Sequence, residues 1–147
     1  MKRDKARPPA TTVDSMDDLI RAARAVREHA YAPYSRYRVG AAVLADNGKI
    51  YAGANVENAS YGLSICAERN AVSAAVLDGA RRVLACAVVT QSDPPAAPCG
   101  MCRQTLAEFA PADPEAVRVA LVGTGGARRD ATLAELLPLS FRPEDLG

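Results

Sequence analysis

Three of the four cysteines fall in two short motifs, Cys66-Ala67-Glu68 and Pro98-Cys99-Gly100-Met101-Cys102. Each motif opens a predicted helix directly after a loop. A fold that uses both must bring two helix starts, distant in sequence, to one point. Three thiolates bind zinc well and leave one coordination position open for water, the arrangement of a catalytic rather than a structural site. Cys-x-x-Cys lets two sulfurs near one helical turn reach the same ion. Pro98 fixes the backbone just before them. Both helix N-termini present partial positive charge, which favours the thiolate form.

Glu68 turns this ligand set towards chemistry. A carboxylate beside a metal-bound water can take a proton and deliver it to a substrate. In an ideal helix a residue two positions on is rotated about 200° away. Cys66 escapes that geometry if it stands at or before the first helical position. Arg69 and Arg103 each follow a site residue. Arg69 is expected to hydrogen-bond a ligand sulfur and offset the negative charge that three thiolates leave on the metal.

Other readings of the cysteines stay open. A lone Cys-x-x-Cys also suits a redox motif, which leaves Cys66 and Glu68 unexplained. A structural zinc site wants a fourth protein ligand. The sole histidine, His29, is placed in the first helix after the charged Arg27 and Glu28 and is expected at the surface. Cys86 sits in the apolar run VLACAVVT (83–90) and is expected as a buried free thiol.

The remainder of the chain predicts one α/β domain. Its 147 residues suit a single core, with residues 1–13 as a flexible leader and 14–147 as the domain. Residues 16–30 carry apolar side chains at helical spacing, capped by Asp14 or Ser15. Segments 37–45 and 49–56 read as a hairpin across Asp46-Asn47-Gly48. Residues 57–64 form a loop, and a helix runs from Cys66 to Asp78 with Gly79 as its stop. A buried strand follows at 82–90, then a proline-rich loop (91–98), a helix from Cys99 to Ala110 and a strand at 116–122. Residues 123–129 read as a turn, and Thr132 with Glu135 forms a capping box on a short last helix. Strands separated by helices predict a three-layer α/β/α sandwich with a mixed central sheet.

Charge narrows the partners. Eighteen basic and seventeen acidic side chains give a net charge of +1, without the basic surplus that polynucleotide binding uses. No apolar stretch approaches a membrane span, and the N-terminus lacks the apolar core of a secretory signal. The expectation is a cytoplasmic protein with neither a nucleic-acid nor a membrane partner.

Around the metal motifs, AYAPYSRYRVGAAV (30–43), NVENASYG (55–62), CAERNAV (66–72), PCGMCRQTL (98–106) and ELLPLSF (135–141) together resemble the small cytidine deaminases, in family order from about residue 16 to the end. The resemblance implies a zinc-dependent hydrolase that deaminates cytidine and deoxycytidine in pyrimidine salvage. Cys66, Cys99 and Cys102 would hold one Zn2+ per subunit and Glu68 would shuttle protons. Asn55 and Glu57 would bind a ribose hydroxyl, since residues two apart at a strand end point to the same side. The Ala67 backbone would read the pyrimidine edge. Tyr37 stands where the family usually has a Phe flanking the base, and its extra hydroxyl requires a partner. Phe141 matches a residue that reaches into a neighbouring subunit's site, which implies a homotetramer. Rivals are an aminoacyl-nucleoside deaminase, an RNA- or DNA-editing deaminase, and an inactive zinc-stabilised scaffold.

Overall fold

The computed structural model describes residues 13–147; most of the expected leader lies outside the described residues. Helix α1 (Val13–Arg27) precedes a hairpin of β1 (Gly40–Ala45) and β2 (Ile50–Ala54). Then follow α2 (Ala67–Leu77), β3 (Val83–Thr90), α3 (Gly100–Glu108), β4 (Arg118–Gly123), β5 (Arg128–Thr132) and α4 (Leu133–Leu136). The sheet order is β2-β1-β3-β4-β5. Only β3 and β4 run parallel, with Cys86 opposite Val119 and Val88 opposite Leu121; the other pairs are antiparallel.

Period-two alternation sorts the sheet's side chains into two cores. Ala42, Leu44, Ala85, Ala87, Val89, Ala120 and Val122 face α1, which buries Met16, Leu19 and Ala23 against them. Their strand neighbours Ala41, Val43, Cys86, Val88, Val119 and Leu121 face the opposite way, towards Ala71, Val72 and Ala75 of α2 and Leu106 of α3. The molecule is the three-layer sandwich that the element order implied. Cys86 is fully buried among these residues, and burial, then the charge of Glu68, push its thiol up.

Small residues set the layer spacing. A Cβ on Gly40 would lie 2.0 Å from the Ala23 carbonyl oxygen, and one on Gly53 would lie 2.5 Å from the Ala71 backbone nitrogen. Those two glycines let α1 press onto β1 and α2 onto β2. Gly79 stops α2 as expected: it adopts φ +97°, while its N–H bonds to Val76 and that of Ala80 to Ala75, a Schellman closure. The Thr132–Glu135 capping box is also present.

Four local expectations change. Helix α1 is already helical at Val13 and ends at Arg27, so Asp14 and Ser15 lie inside it rather than at the position before it. Exposed His29 follows it in a turn. Residues 37–39 do not join β1: Asn55 holds them through its side chain, bonded to the Val39 N–H and the Tyr37 carbonyl, and through its backbone N–H to the Val39 carbonyl, while Arg27 donates to the Arg38 carbonyl. The segment read as a turn at 123–129 contains the start of β5, an edge strand paired from Val122↔Arg128 to Arg118↔Thr132.

Candidate metal centre and active-site cavity

Helices α2 and α3 start side by side at the end of the sheet where β3 finishes, the usual place for a ligand in an α/β fold. Cys66 is the residue before α2, with φ −69° and ψ 153°. Cys99 is the residue before α3, with φ −66° and ψ 169°. Both are extended rather than helical, so their side chains are free of the helical register. Glu68, the second residue of α2, can therefore share a site with Cys66.

The Cys66, Cys99 and Cys102 sulfurs all lie within 4.8 Å of one another. Cys66 to Cys99 is 3.8 Å and Cys99 to Cys102 is 3.4 Å. Such distances are far beyond a disulfide bond of about 2.05 Å. They match a tetrahedral ion: with Zn–S near 2.3 Å, neighbouring thiolates stand about 3.8 Å apart. The donor set thus fits zinc with one position left over, and Cys86 is not part of it.

One thiol of the cluster is primed to ionise. Hydrogen bonding from Cys102 draws Cys66 down to about 6, against the opposing effect of burial; Cys99 and the charge of Arg69 pull the same way, whereas Glu68 opposes. Cys102 moves in the other direction, first through that shared proton, then through burial and the Glu68 carboxylate. Ionised sulfur is the form a metal binds. Arg69 acts here through its charge, with no hydrogen bond to sulfur among the described residues.

A cavity of about 220 Å3 opens beside the triad. Its walls include Tyr37, Asn55, Cys66, Ala67, Glu68 and Cys99. Glu68 is 5% exposed, and Thr90, at the end of β3, is the other buried polar residue among the described residues. The Tyr37 hydroxyl has its partner in Ser92 Oγ at 2.5 Å. Asn55 accepts from the Val39 N–H and donates to the Tyr37 carbonyl, both at 2.8 Å.

Two expected site residues stand elsewhere. Strand β2 ends at Ala54, and Glu57 lines a neighbouring depression of about 260 Å3 with Tyr34, Ser35, Tyr61 and Ser64. Its Oε1 accepts from the N–H groups of Tyr34 and Ser35, and its Oε2 from Ser35 Oγ. Those bonds, led by the Ser35 hydroxyl, hold its carboxyl below the ordinary value. Phe141 is 59% exposed, and Gln104 Nε2 donates to its carbonyl at 2.8 Å.

Sequence reading passed over Thr90, Ser92 and the contacts of Arg103. Thr90 had a signal, as the one polar residue closing an apolar strand. Ser92 had none, since its role depends on a loop returning to Tyr37.

Similarity to known proteins agrees with this geometry. Residues 14–117 match the family model described as the cytidine and deoxycytidylate deaminase zinc-binding region. The cytidine deaminase of Halalkalibacterium halodurans is 49% identical over 129 residues, 88% of this chain and 96% of that protein. The crystal structure of cytidine deaminase from Burkholderia pseudomallei is similar with a TM-score of 0.79 at 46% identity, covering 85% of this chain and 98% of that one. That of Mycobacterium tuberculosis gives 0.74 at 39%, covering 88% and 98%.

Proposed function

The chain belongs to the family of zinc-binding cytidine and deoxycytidylate deaminases, and from that premise we propose that it is a hydrolase converting cytidine and deoxycytidine to their uridine counterparts with release of ammonia. The observation that carries the reading is the buried Glu68 sharing one cavity wall with Cys66 and Cys99. A nucleoside substrate places the reaction in pyrimidine salvage. Among the described residues no helix is long and apolar enough to cross a membrane. Free cysteines grouped for a metal suit a reducing compartment, and on that ground we assign the protein to the cytoplasm.

Cys66, Cys99 and Cys102 would hold the zinc, which when bound makes water acidic enough to supply a nucleophile near neutral pH. The Glu68 carboxylate would accept a proton from water and pass it to N3 of the cytosine ring, then take the proton of the hydroxyl newly bonded to C4 and deliver it to the leaving amine, which departs as ammonia. Ala67 is the first residue of α2, so its N–H has no acceptor within the helix and can read the base edge. Tyr37 offers a ring to the base, with its hydroxyl already satisfied by Ser92. At about 220 Å3 the cavity falls below the roughly 300–1,000 Å3 of sites for larger ligands.

The sugar is assigned to Asn55 on the cavity wall and to Glu57 in the depression next to it. An amide and a carboxylate offer more hydrogen-bonding positions than their protein partners here fill. Asn55 keeps a second N–H donor, and Glu57 Oε2 keeps a lone pair for a hydroxyl. Phe141, exposed on the C-terminal segment, is assigned to the site of a neighbouring subunit in a homotetramer.

The test mixes zinc-loaded protein with cytidine and, separately, with a single-stranded oligonucleotide containing cytosine. Loss of the cytosine absorbance band with matching ammonia is expected for the nucleoside only. Turnover confined to the oligonucleotide would replace this reading with a nucleic-acid deaminase, a reading that the net charge of +1 disfavours.

A further inference from the structure

Of the three sulfurs, Cys102 belongs to a fully buried residue, whereas Cys99 is exposed. Packing cannot orient an exposed side chain, so something else must aim Cys99. Arg103 makes three bonds around it. Its Nε donates to the Pro98 carbonyl at 2.8 Å. Its backbone N–H donates to the Cys99 carbonyl at 3.0 Å. Its Nη1 donates to the Leu136 carbonyl, at the end of α4, at 2.6 Å.

The first two bonds hold the consecutive carbonyls on either side of the Cys99 Cα. With both peptide planes fixed, φ and ψ of Cys99 have little room, and the direction of its Cα–Cβ bond follows. The third bond ties the guanidinium to a separate element. Only a planar fork with several donors serves two carbonyls in different directions at once; an ammonium on a flexible stem is a single charged point.

We infer that Arg103 is a positioning residue for the metal centre: it aims the exposed ligand Cys99 by clamping Pro98 and braces that clamp against α4. The inference rests on zinc binding at Cys66, Cys99 and Cys102. Partners of this kind, behind the ligands rather than on the metal, shift metal affinity about 10–100-fold when removed. Arg69 and Arg103 then divide the work, Arg69 through its charge on Cys66 and Arg103 through the backbone at Cys99.

The experiment compares wild type with Arg103→Met and Arg103→Lys. Zinc stoichiometry is measured first, then zinc affinity by competition with a colorimetric chelator. Thermal unfolding is followed with zinc and with the metal stripped. Arg103→Met should bind zinc about 10–100-fold more weakly, with Arg103→Lys in between because it keeps the charge and can reach one of the two carbonyls. The gap between zinc-loaded and stripped midpoints should narrow in both variants. Equal losses of midpoint with and without zinc, together with wild-type zinc affinity, would show Arg103 to be a structural brace only and overturn the inference. Arg103→Lys supplies the same comparison should Arg103→Met fail to fold. A wild type that holds no zinc would remove the metal reading itself, and the clamp with it.

Discussion

Glu68 is an acidic side chain almost without solvent, a costly placement unless a counter-charge or a proton compensates. The thiols beside it add to the cost, since each ionised sulfur repels it. A zinc ion held by those sulfurs would cancel most of their charge and so lessen that repulsion, leaving the carboxylate free to exchange a proton within the cavity. Glu68→Ala should therefore keep its zinc and lose about 10²–10⁴-fold in turnover, read as ammonia release beside metal content. Near-normal turnover would take Glu68 out of the mechanism. Glu57 contributes differently. Its folded carboxyl lies below the ordinary 4.5, so it stabilises the 34–35 turn above that value, and the contribution fades as pH falls through the folded one. The midpoint difference between wild type and Glu57→Gln should be largest near neutrality and vanish in acid; a difference independent of pH would refute this. At this scale the metal motif was legible in the sequence, because ligand spacing is a local property. Separating Asn55 from Glu57 was not, because it depends on where β2 stops. The two-apart rule holds along a strand, and β2 ends at Ala54, before either residue.

Elements meet at the site only because their layers sit close. α1 and α2 approach the hairpin through Gly40 and Gly53, and the nearest contact of each is backbone, with only the Cβ atoms of Arg27 and Asn70 beside it, none of which can swing away. Gly40→Ala should cost more than the 1–3 kcal/mol usual for an overfilled core, since its Cβ would fall 2.0 Å from a carbonyl oxygen. Gly79→Ala has open space around it and should cost only the left-handed penalty of about 1–2 kcal/mol. Denaturant unfolding that ranked the two in reverse order would contradict this picture of the layers. The elements that announced themselves in sequence were those with apolar surface to bury: the Met16, Leu19 and Ala23 stripe of α1, and the continuous apolar strands at 40–45 and 83–90. β5 did not. Its residues, Arg128-Arg129-Asp130-Ala131-Thr132, are mostly exposed, and Arg128 reaches Asp130 and Asp17 instead of a core. An edge strand held by backbone bonds and charges has no apolar rhythm to read.

For the molecule as a whole, the unfinished part is the C-terminal segment. Leu139 and Phe141 stand exposed there, as does Leu146 beyond them, and Met101 is exposed at the start of α3. Gln104 holds the Phe141 carbonyl to the helix that also carries Cys102, so the ring is presented from an anchored backbone. Phe141 does not line the cavity of its own chain. The proposed homotetramer gives it a destination, with one chain supplying Glu68 and its neighbour supplying Phe141 to each site. That arrangement has a consequence which a self-contained protomer lacks. Phe141→Ala subunits carry an intact Glu68, and Glu68→Ala subunits carry an intact Phe141. Unfolding and refolding the two together yields mixed assemblies in which about a quarter of sites are whole, if subunits combine at random across a symmetric interface. Ammonia release by the mixture should then exceed the mean of the two parents. Protomers complete in themselves would give that mean and no more, since mixing could not return a missing residue to its own chain.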